Sequence, residues 1–307
     1  MENLLVFFKD KFVKIEEAKI SIMTNALQYG TGVFGGIRGY YNKSKKAIFV
    51  FRLQDHYKRF LNSLKILGVS IKYNQKELEK LTLELINKNK PKQNVYIRPF
   101  AYAGSLNLAP NLNRDRDFDF VLYMIPLEEY LPVDKGLKVG VSSWRRISDN
   151  SLPARGKFSG SYISSALINK EAKDLGFDEA IVLNENGHIS EGSAENLFIV
   201  RDGVLITSPV YEDILEGITR KTVLELAKDF KIPTEIRPID RTELYICDEA
   251  FFTGTGVQIA WISEIDKRQI GNGKRGKITA KIQDIFFKIV YGNHPKYSVK
   301  WCTKILV

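Results

Sequence analysis

The sequence predicts a two-domain α+β protein, and three observations carry that expectation. Its 307 residues exceed the length one domain usually holds, which is roughly 150. Strand-like and helix-like stretches follow one another without the βαβ alternation of a doubly wound sheet. Two turn pairs, Asn186-Gly187 and Asp202-Gly203, lie between β-rich runs, where a two-residue hairpin turn belongs. A chain with 44% hydrophobic and 27% charged residues buries enough apolar surface at this length to fold without staples.

The elements follow in order. Ile37 to Tyr41 and Ala47 to Phe51 flank the turn Asn42 to Lys46 and make a hairpin. From Gln54 to Leu67, Tyr57, Phe60, Leu61, Leu64 and Leu67 recur at helical spacing. A second amphipathic helix runs from Gln75 to Ile86, and Lys90-Pro91 closes it. Val95 to Ala103 and Phe118 to Ile125 read as strands. Leu127 to Gly136 has no clear period and contains Pro132, as a linker would. Residues 1–126 are therefore expected to form a small α+β domain, 127–136 the linker, and 137–307 a larger domain. The latter opens with a strand from Leu137 to Val141 and carries two hairpins, around Asn186-Gly187 and Asp202-Gly203. Its helices follow Ser159, Gly217 and Lys277.

Composition narrows the function. Two cysteines, Cys247 and Cys302, supply neither a disulfide framework nor a cysteine-based zinc site, and suit a reducing compartment. The apolar run Leu4 to Phe8 is too short for a secretion signal, and no stretch approaches the roughly 18 apolar residues of a membrane span. A cytoplasmic protein is expected. The net charge of +10 and pI near 9.3 raise the possibility of nucleic-acid binding. The basic residues are dispersed among acidic ones, however, and no cluster interleaves aromatics as a base-stacking platform would. A positive field equally suits an enzyme whose ligands are phosphates and carboxylates. The three histidines, His56, His188 and His294, offer little for a Ser/His/Asp triad or a His-ligated metal, and no metal is expected. His56 is placed on the polar face of its helix.

Several segments could carry chemistry. Gly30 to Gly35 matches the dinucleotide fingerprint G-x-G-x-x-G, but a strand-like run follows it where a helix is needed to meet a pyrophosphate. Lys157 lies among small residues, Gly156, Ser159 and Gly160, just before a helix. It is either a solvated loop lysine or an amine in a partly desolvated pocket, able to form a Schiff base with a carbonyl cofactor. Ser190-Glu191-Gly192-Ser193-Ala194-Glu195-Asn196 sets two carboxylates directly before an apolar strand. This is either a polar loop or a carboxylate for the ring nitrogen of pyridoxal phosphate. Gly217-Ile218-Thr219 opens an amphipathic helix, as an ordinary cap or as an anion cradle. Thr253-Gly254-Thr255-Gly256 is either a turn or a second nest of N–H donors.

Taken together, these stretches resemble the fold-type IV pyridoxal-phosphate aminotransferases, and within them the branched-chain amino acid aminotransferases. The matching segments are Tyr29 to Phe34, Tyr96 to Pro99, Val141 to Trp144, Lys157 to Tyr162, Ser190 to Phe198, Leu215 to Arg220 and Asp248 to Gly256. Tyr96-Ile97-Arg98 is the segment that selects the branched-chain subgroup. The resemblance implies a small α+β domain and a larger pseudo-barrel domain that binds pyridoxal 5'-phosphate.

It further implies transfer of the amino group of L-leucine, L-isoleucine or L-valine to 2-oxoglutarate in a ping-pong cycle, by a homodimer or higher homo-oligomer. Lys157 would bind the cofactor covalently and shuttle the α-proton. Glu191 would pair with the pyridine nitrogen, Tyr162 with the phenolic oxygen, and Arg59, Ile218, Thr219 and Thr255 with the phosphate. Tyr96, with Thr255-Gly256, would take the substrate α-carboxylate, and Arg98 the second carboxylate of glutamate. Phe34, Tyr29, Leu108 and Tyr130 would shape the apolar pocket, with Tyr29 and Leu108 supplied by the neighbouring subunit. D-amino-acid transamination and aminodeoxychorismate cleavage are the alternatives within the fold, and a basic nucleic-acid-binding protein is the alternative outside it. One departure stands out: Val33-Phe34-Gly35-Gly36 has glycine where relatives usually carry glutamate. There is also no Cys-x-x-Cys, so no redox switch of the kind some mammalian relatives carry is expected.

Overall fold

The computed structural model describes residues 4–112, 118–127, 131 and 133–307. By contacts the chain divides into two units, one of Met1–Glu128, Gly156–Ser161 and Lys288–Val307, the other of Glu129–Arg155 and Tyr162–Phe287. This division departs from a single break at 127–136, because two later segments group with the N-terminal part.

The first unit is built on an eight-stranded sheet. Its strands are β1 (Leu5–Phe8), β2 (Lys11–Lys14), β3 (Gly32–Phe34), β4 (Ile37–Asn42), β5 (Ala47–Phe51), β6 (Val95–Tyr102) and β7 (Asp119–Pro126), with the C-terminal strand Cys302–Leu306 beside β5. The helices are α1 (Asn25–Tyr29), α2 (Leu53–Leu67) and α3 (Gln75–Asn89), with a short helix, Tyr297–Trp301, before the C-terminal strand. The hairpin β4–β5 and both long helices lie where the sequence periodicity places them. α3 starts in a capping box in which Asn74 and Glu77 satisfy each other's backbone donors.

In β6, Val95, Ile97 and Ala101 are buried while Tyr96, Arg98 and Phe100 are half-buried on the opposite face. Proline in a central strand ordinarily removes a ladder bond. Pro99 falls where β6 changes partner, from β4 at Ile97 to β3 at Phe100. Gly35, at the same break, donates its N–H to the Pro99 carbonyl at 2.8 Å. A Cβ at Gly35 would lie 2.6 Å from the Pro99 ring, so a side chain at position 35 requires that ring or its strand to shift.

The second unit carries a nine-stranded sheet. It comprises β8 (Leu137–Arg145), β9 (Glu179–Leu183), β10 (Ile189–Gly192), β11 (Asn196–Arg201), β12 (Val204–Thr207), β13 (Thr234–Ile236), β14 (Glu249–Gly254), β15 (Gln258–Ile265) and β16 (Arg268–Gln269). Helices α4 (Tyr162–Asp174), α5 (Ile218–Asp229) and α6 (Lys277–Val290) follow in chain order, with α6 reaching past the unit's last residue. Both predicted hairpins form. Two βαβ crossovers also occur: β8 and β9 are parallel with α4 between them, and β12 and β13 are parallel with α5 between them. The sequence hides the first because α4 packs only a narrow stripe, Ile168 and Ala172, on Ala180 and Val182. The core of the sheet is aliphatic, with Val139, Ile181, Ile199 and Ile262 among its buried members. Among the described residues, no helix is long and apolar enough to cross a membrane.

Candidate active site

In the first unit, Lys157 is fixed through its backbone. Phe34 donates its N–H to the Lys157 carbonyl at 3.0 Å, and the Lys157 N–H reaches Ser63 Oγ at 3.2 Å. Val33 and Phe158 form an antiparallel bridge, so this segment runs along β3 as a short added strand. Gly160 donates to the Gly30 carbonyl at 3.1 Å. Gly30 ends α1 with φ +66°, and a Cβ there would sit 2.7 Å from Gly160 Cα. Gly30 of the apparent dinucleotide fingerprint therefore serves a close backbone approach, β3 lies within the motif, and strand β4 follows where that motif needs a helix.

Around this lysine the sheet gathers aromatic faces and cations. Lys157 Nζ lies 5.0 Å from the centre of the Phe34 ring, and the Arg98 guanidinium lies 4.4 Å from the same ring. Arg98 also donates to Tyr96 Oη at 3.2 Å. Phe34, Tyr96, Arg98 and Lys157, scattered over 124 positions of sequence, thus form one cluster. Tyr29 and Leu108 meet elsewhere in this unit: Tyr29 Oη donates to the Leu108 carbonyl at 2.5 Å, and their side chains are exposed. Tyr130 lies outside the described residues.

Arg59 is half-buried on α2 rather than a solvated helical arginine. Four residues on, Ser63 is fully buried, donates to the Arg59 carbonyl at 3.0 Å and receives Lys157's backbone. His56 corrects the sequence reading, because it is 3% exposed and not on a polar face. Burial, with the charge of Arg59 adding to it, holds its pKa well below the ordinary histidine value.

The second unit is dominated by hydrogen bonds. Glu191, on β10, is buried, and both its oxygens are engaged. Oε1 meets Arg146 Nη2 at 2.7 Å. Oε2 accepts from Asn196 Nδ2 at 2.8 Å and from the Leu215 N–H at 3.1 Å. The second carboxylate of the motif has another use: Glu195 Oε2 accepts from Ala194 N–H at 3.0 Å and closes the loop before β11. Arg220 is likewise structural, donating to the Ser208 carbonyl at 2.9 Å.

Ile218 and Thr219 are buried in the first turn of α5. The N-cap, Gly217, contributes no side-chain cap bond, and the turn has no acidic residue. A Cβ at Gly217 would collide with Asn196 Oδ1. Thr255 and Gly256 lie half-buried in the turn between β14 and β15, and Tyr162 half-buried at the start of α4.

Sequence reasoning missed Ser63 and Arg146. Ser63 was findable as the residue four after Arg59 on the same helical face. Arg146 gives no local signal, because it reaches Glu191 across 45 residues of sequence.

A phosphorylated pyridine aldehyde makes three demands: an amine, a cradle for a dianion and an anionic partner for the ring nitrogen. Each unit holds groups of a fitting kind. The first has a half-buried amine, Lys157; the second has the start of α5, with N–H donors and no competing side-chain cap or acid, and Glu191, a buried carboxylate held by a cation and two N–H groups.

Residues 32–265 match the model of the family "Amino-transferase class IV". The chain belongs to the class IV aminotransferases. A "Probable branched-chain-amino-acid aminotransferase" of Aquifex aeolicus is 44% identical, covering 97% of this chain and 96% of that one. The fold is shared with a branched-chain aminotransferase of Thermoproteus uzoniensis crystallised with norvaline, at TM-score 0.93 and 42% identity over 98% of this chain and 99% of that one. It is shared also with the branched-chain amino acid aminotransferase of Thermobaculum terrenum in its PLP-bound holo-form, at TM-score 0.93 and 35% identity over 99% of this chain and 98% of that one. These relatives place the chain among the branched-chain members of its class.

Proposed function

We infer that the protein is a pyridoxal-phosphate-dependent branched-chain-amino-acid aminotransferase, moving the amino group of L-leucine, L-isoleucine or L-valine to 2-oxoglutarate. The observation that carries the reading is the cluster of Phe34, Arg98 and Tyr96 beside Lys157. It offers an aromatic face to an aliphatic side chain and a guanidinium to a second carboxylate. One wall can thus serve both donor and acceptor.

When bound, pyridoxal 5'-phosphate supplies an aldehyde to condense with amines and a ring that accepts the electrons released at the substrate Cα. The chain's own residues do the rest. Lys157 would hold the cofactor through its amine, and its Nζ would move the proton at the substrate Cα, a role in which a placed base contributes about 10²–10⁴-fold. Glu191, held by Arg146, would accept a hydrogen bond from the pyridine nitrogen. Arg59, Ile218, Thr219 and Thr255 hold the phosphate, remote from the reacting atoms, so that binding there orients the ring without changing its chemistry. Tyr162 takes the phenolic oxygen. Tyr96, with the Thr255-Gly256 turn, takes the α-carboxylate, and Arg98 takes the γ-carboxylate of glutamate.

The exposed apolar residues Ile22, Leu27, Leu106 and Leu108, with Tyr29 among them, support a homodimer or higher assembly in which Tyr29 and Leu108 serve a neighbour's pocket. Two cysteines that are not paired suit a cytoplasmic location. The test is spectroscopic and kinetic. The purified protein is expected to show a visible cofactor band that L-leucine bleaches and 2-oxoglutarate restores. Activity with D-alanine but not L-leucine overturns the substrate assignment.

A further inference from the structure

His56 is 3% exposed, and its Nδ1 is buried with no hydrogen-bond partner. It lies on α2 three residues before Arg59 and seven before Ser63, so the three share one stripe of the helix. Ser63 ties that stripe to the Lys157 backbone. The charges acting on the imidazole are those of Arg59, Asp55, Lys157 and Arg52. Arg59, Lys157 and Arg52 each oppose a charge on the ring, and Asp55 favours it. A neutral imidazole has one N–H donor and one acceptor nitrogen. Polar atoms buried this deeply are almost always bonded in native proteins, and an N–H in a cationic neighbourhood is matched by an anion. A half-turn of the ring about Cβ–Cγ exchanges its nitrogen and carbon edges at nearly constant volume, so either nitrogen can be presented.

We propose that His56 is a positioning residue of the cofactor-phosphate pocket: its neutral imidazole donates a hydrogen bond to an oxygen of the phosphate monoester that Arg59 holds. The proposal rests on the reading of the chain as a pyridoxal-phosphate enzyme with Arg59 at the phosphate. A neutral donor adds a bond there without adding a third cation near the Lys157 amine.

The test compares pyridoxal 5'-phosphate with pyridoxal, which lacks only the phosphate, in titrations of the apoprotein followed by absorbance. His56→Leu is expected to weaken binding of the phosphorylated compound about tenfold and leave pyridoxal unchanged. His56→Asn or His56→Gln, which place an N–H near the Nδ1 or Nε2 position, is expected to restore it to within about threefold. Equal weakening of both compounds, or no weakening of either, overturns the proposal and leaves the enzyme assignment standing. A wild-type protein that takes up neither compound overturns both. Should His56→Leu fail to fold, ¹⁵N spectra of the wild-type histidines decide, with His56 assigned by elimination using His188→Gln and His294→Gln. A His56 ring-nitrogen shift that moves with the phosphorylated compound only is the expected result, and identical spectra with both compounds refute it.

Discussion

Glu191 in the second unit and Arg98 in the first are both charged side chains drawn in from water, yet they are held differently. Glu191 has Arg146, Asn196 and the Leu215 N–H on its two oxygens. Arg98 lies over the Phe34 and Tyr96 rings with one hydrogen bond, to Tyr96, among the described residues. On the proposed reading, a carboxylate that meets the pyridine nitrogen gains from a rigid network. On the same reading, a guanidinium that meets a carboxylate in one half-reaction and an aliphatic chain in the other gains from contacts it can leave. Ring faces hold a cation by weak, broad attraction and set little geometric demand.

The comparison can be broken in five ways. The largest effect belongs to Lys157, where Lys157→Ala is expected to abolish the visible band and lower kcat by about 10³-fold or more. Turnover at the wild-type rate would move the chemistry to another amine. Glu191→Gln keeps the size and most of the hydrogen-bond geometry but removes the charge. A fall in kcat on the order of 10²-fold is expected, with substrate KM nearly constant, because the loss is confined to the transition state. Were KM to rise instead, Glu191 would be a binding residue.

Arg98→Met sharpens the other side. The KM for 2-oxoglutarate is expected to rise about tenfold, equivalent to about 1.4 kcal/mol, while kcat/KM for L-leucine stays within about threefold. Equal losses for both substrates would make Arg98 a plain pocket wall.

The fourth test is pH. His56 is held neutral in the folded protein, its pKa lowered chiefly by burial, whereas the unfolded chain takes up a proton as pH falls through the ordinary value of 6.5. The unfolded state then binds more protons, so this contribution to stability is complete above pH 6.5 and lost progressively below it, at up to about 1.4 kcal/mol per pH unit. Denaturant titrations between pH 7 and 5 are expected to show this slope, and His56→Asn to flatten it. The smallest effect is that of Ser63→Ala, which removes the partner of the Lys157 N–H. Roughly 1 kcal/mol of stability and a modest drop in kcat are expected, and an unchanged melting curve would mean that Lys157 is anchored elsewhere.

Much of this was legible because it is local. The periods of α2 and α3, the turn pairs of the β9–β10 and β11–β12 hairpins, and the glycine–threonine start of α5 are properties of a few consecutive residues, and each lies where the pattern sets it. The parallel β8–β9 crossover and the C-terminal strand escaped because their partners are distant. Cys302–Leu306 is short, carries Lys304 and leaves Leu306 exposed, so it reads as a tail until β5 is seen beside it. The same reason hid Arg146 from Glu191, and made the glycines of Gly30 to Gly35 look like a phosphate loop when their neighbours are Gly160 and Pro99.

By itself, then, the sequence determined which groups are available. These are an amine among small residues, a carboxylate before an apolar strand, a glycine–threonine helix start and an arginine alternating with a tyrosine. Residue type and short-range spacing decide local conformation and chemistry, and those are written in the chain. Tertiary structure alone decided which groups act on one another. It set Lys157 and Arg98 around one phenyl ring, buried His56 and put Arg146 on Glu191. Burial and long-range electrostatics depend on what lies within a few ångströms, and that is settled only when distant segments pack.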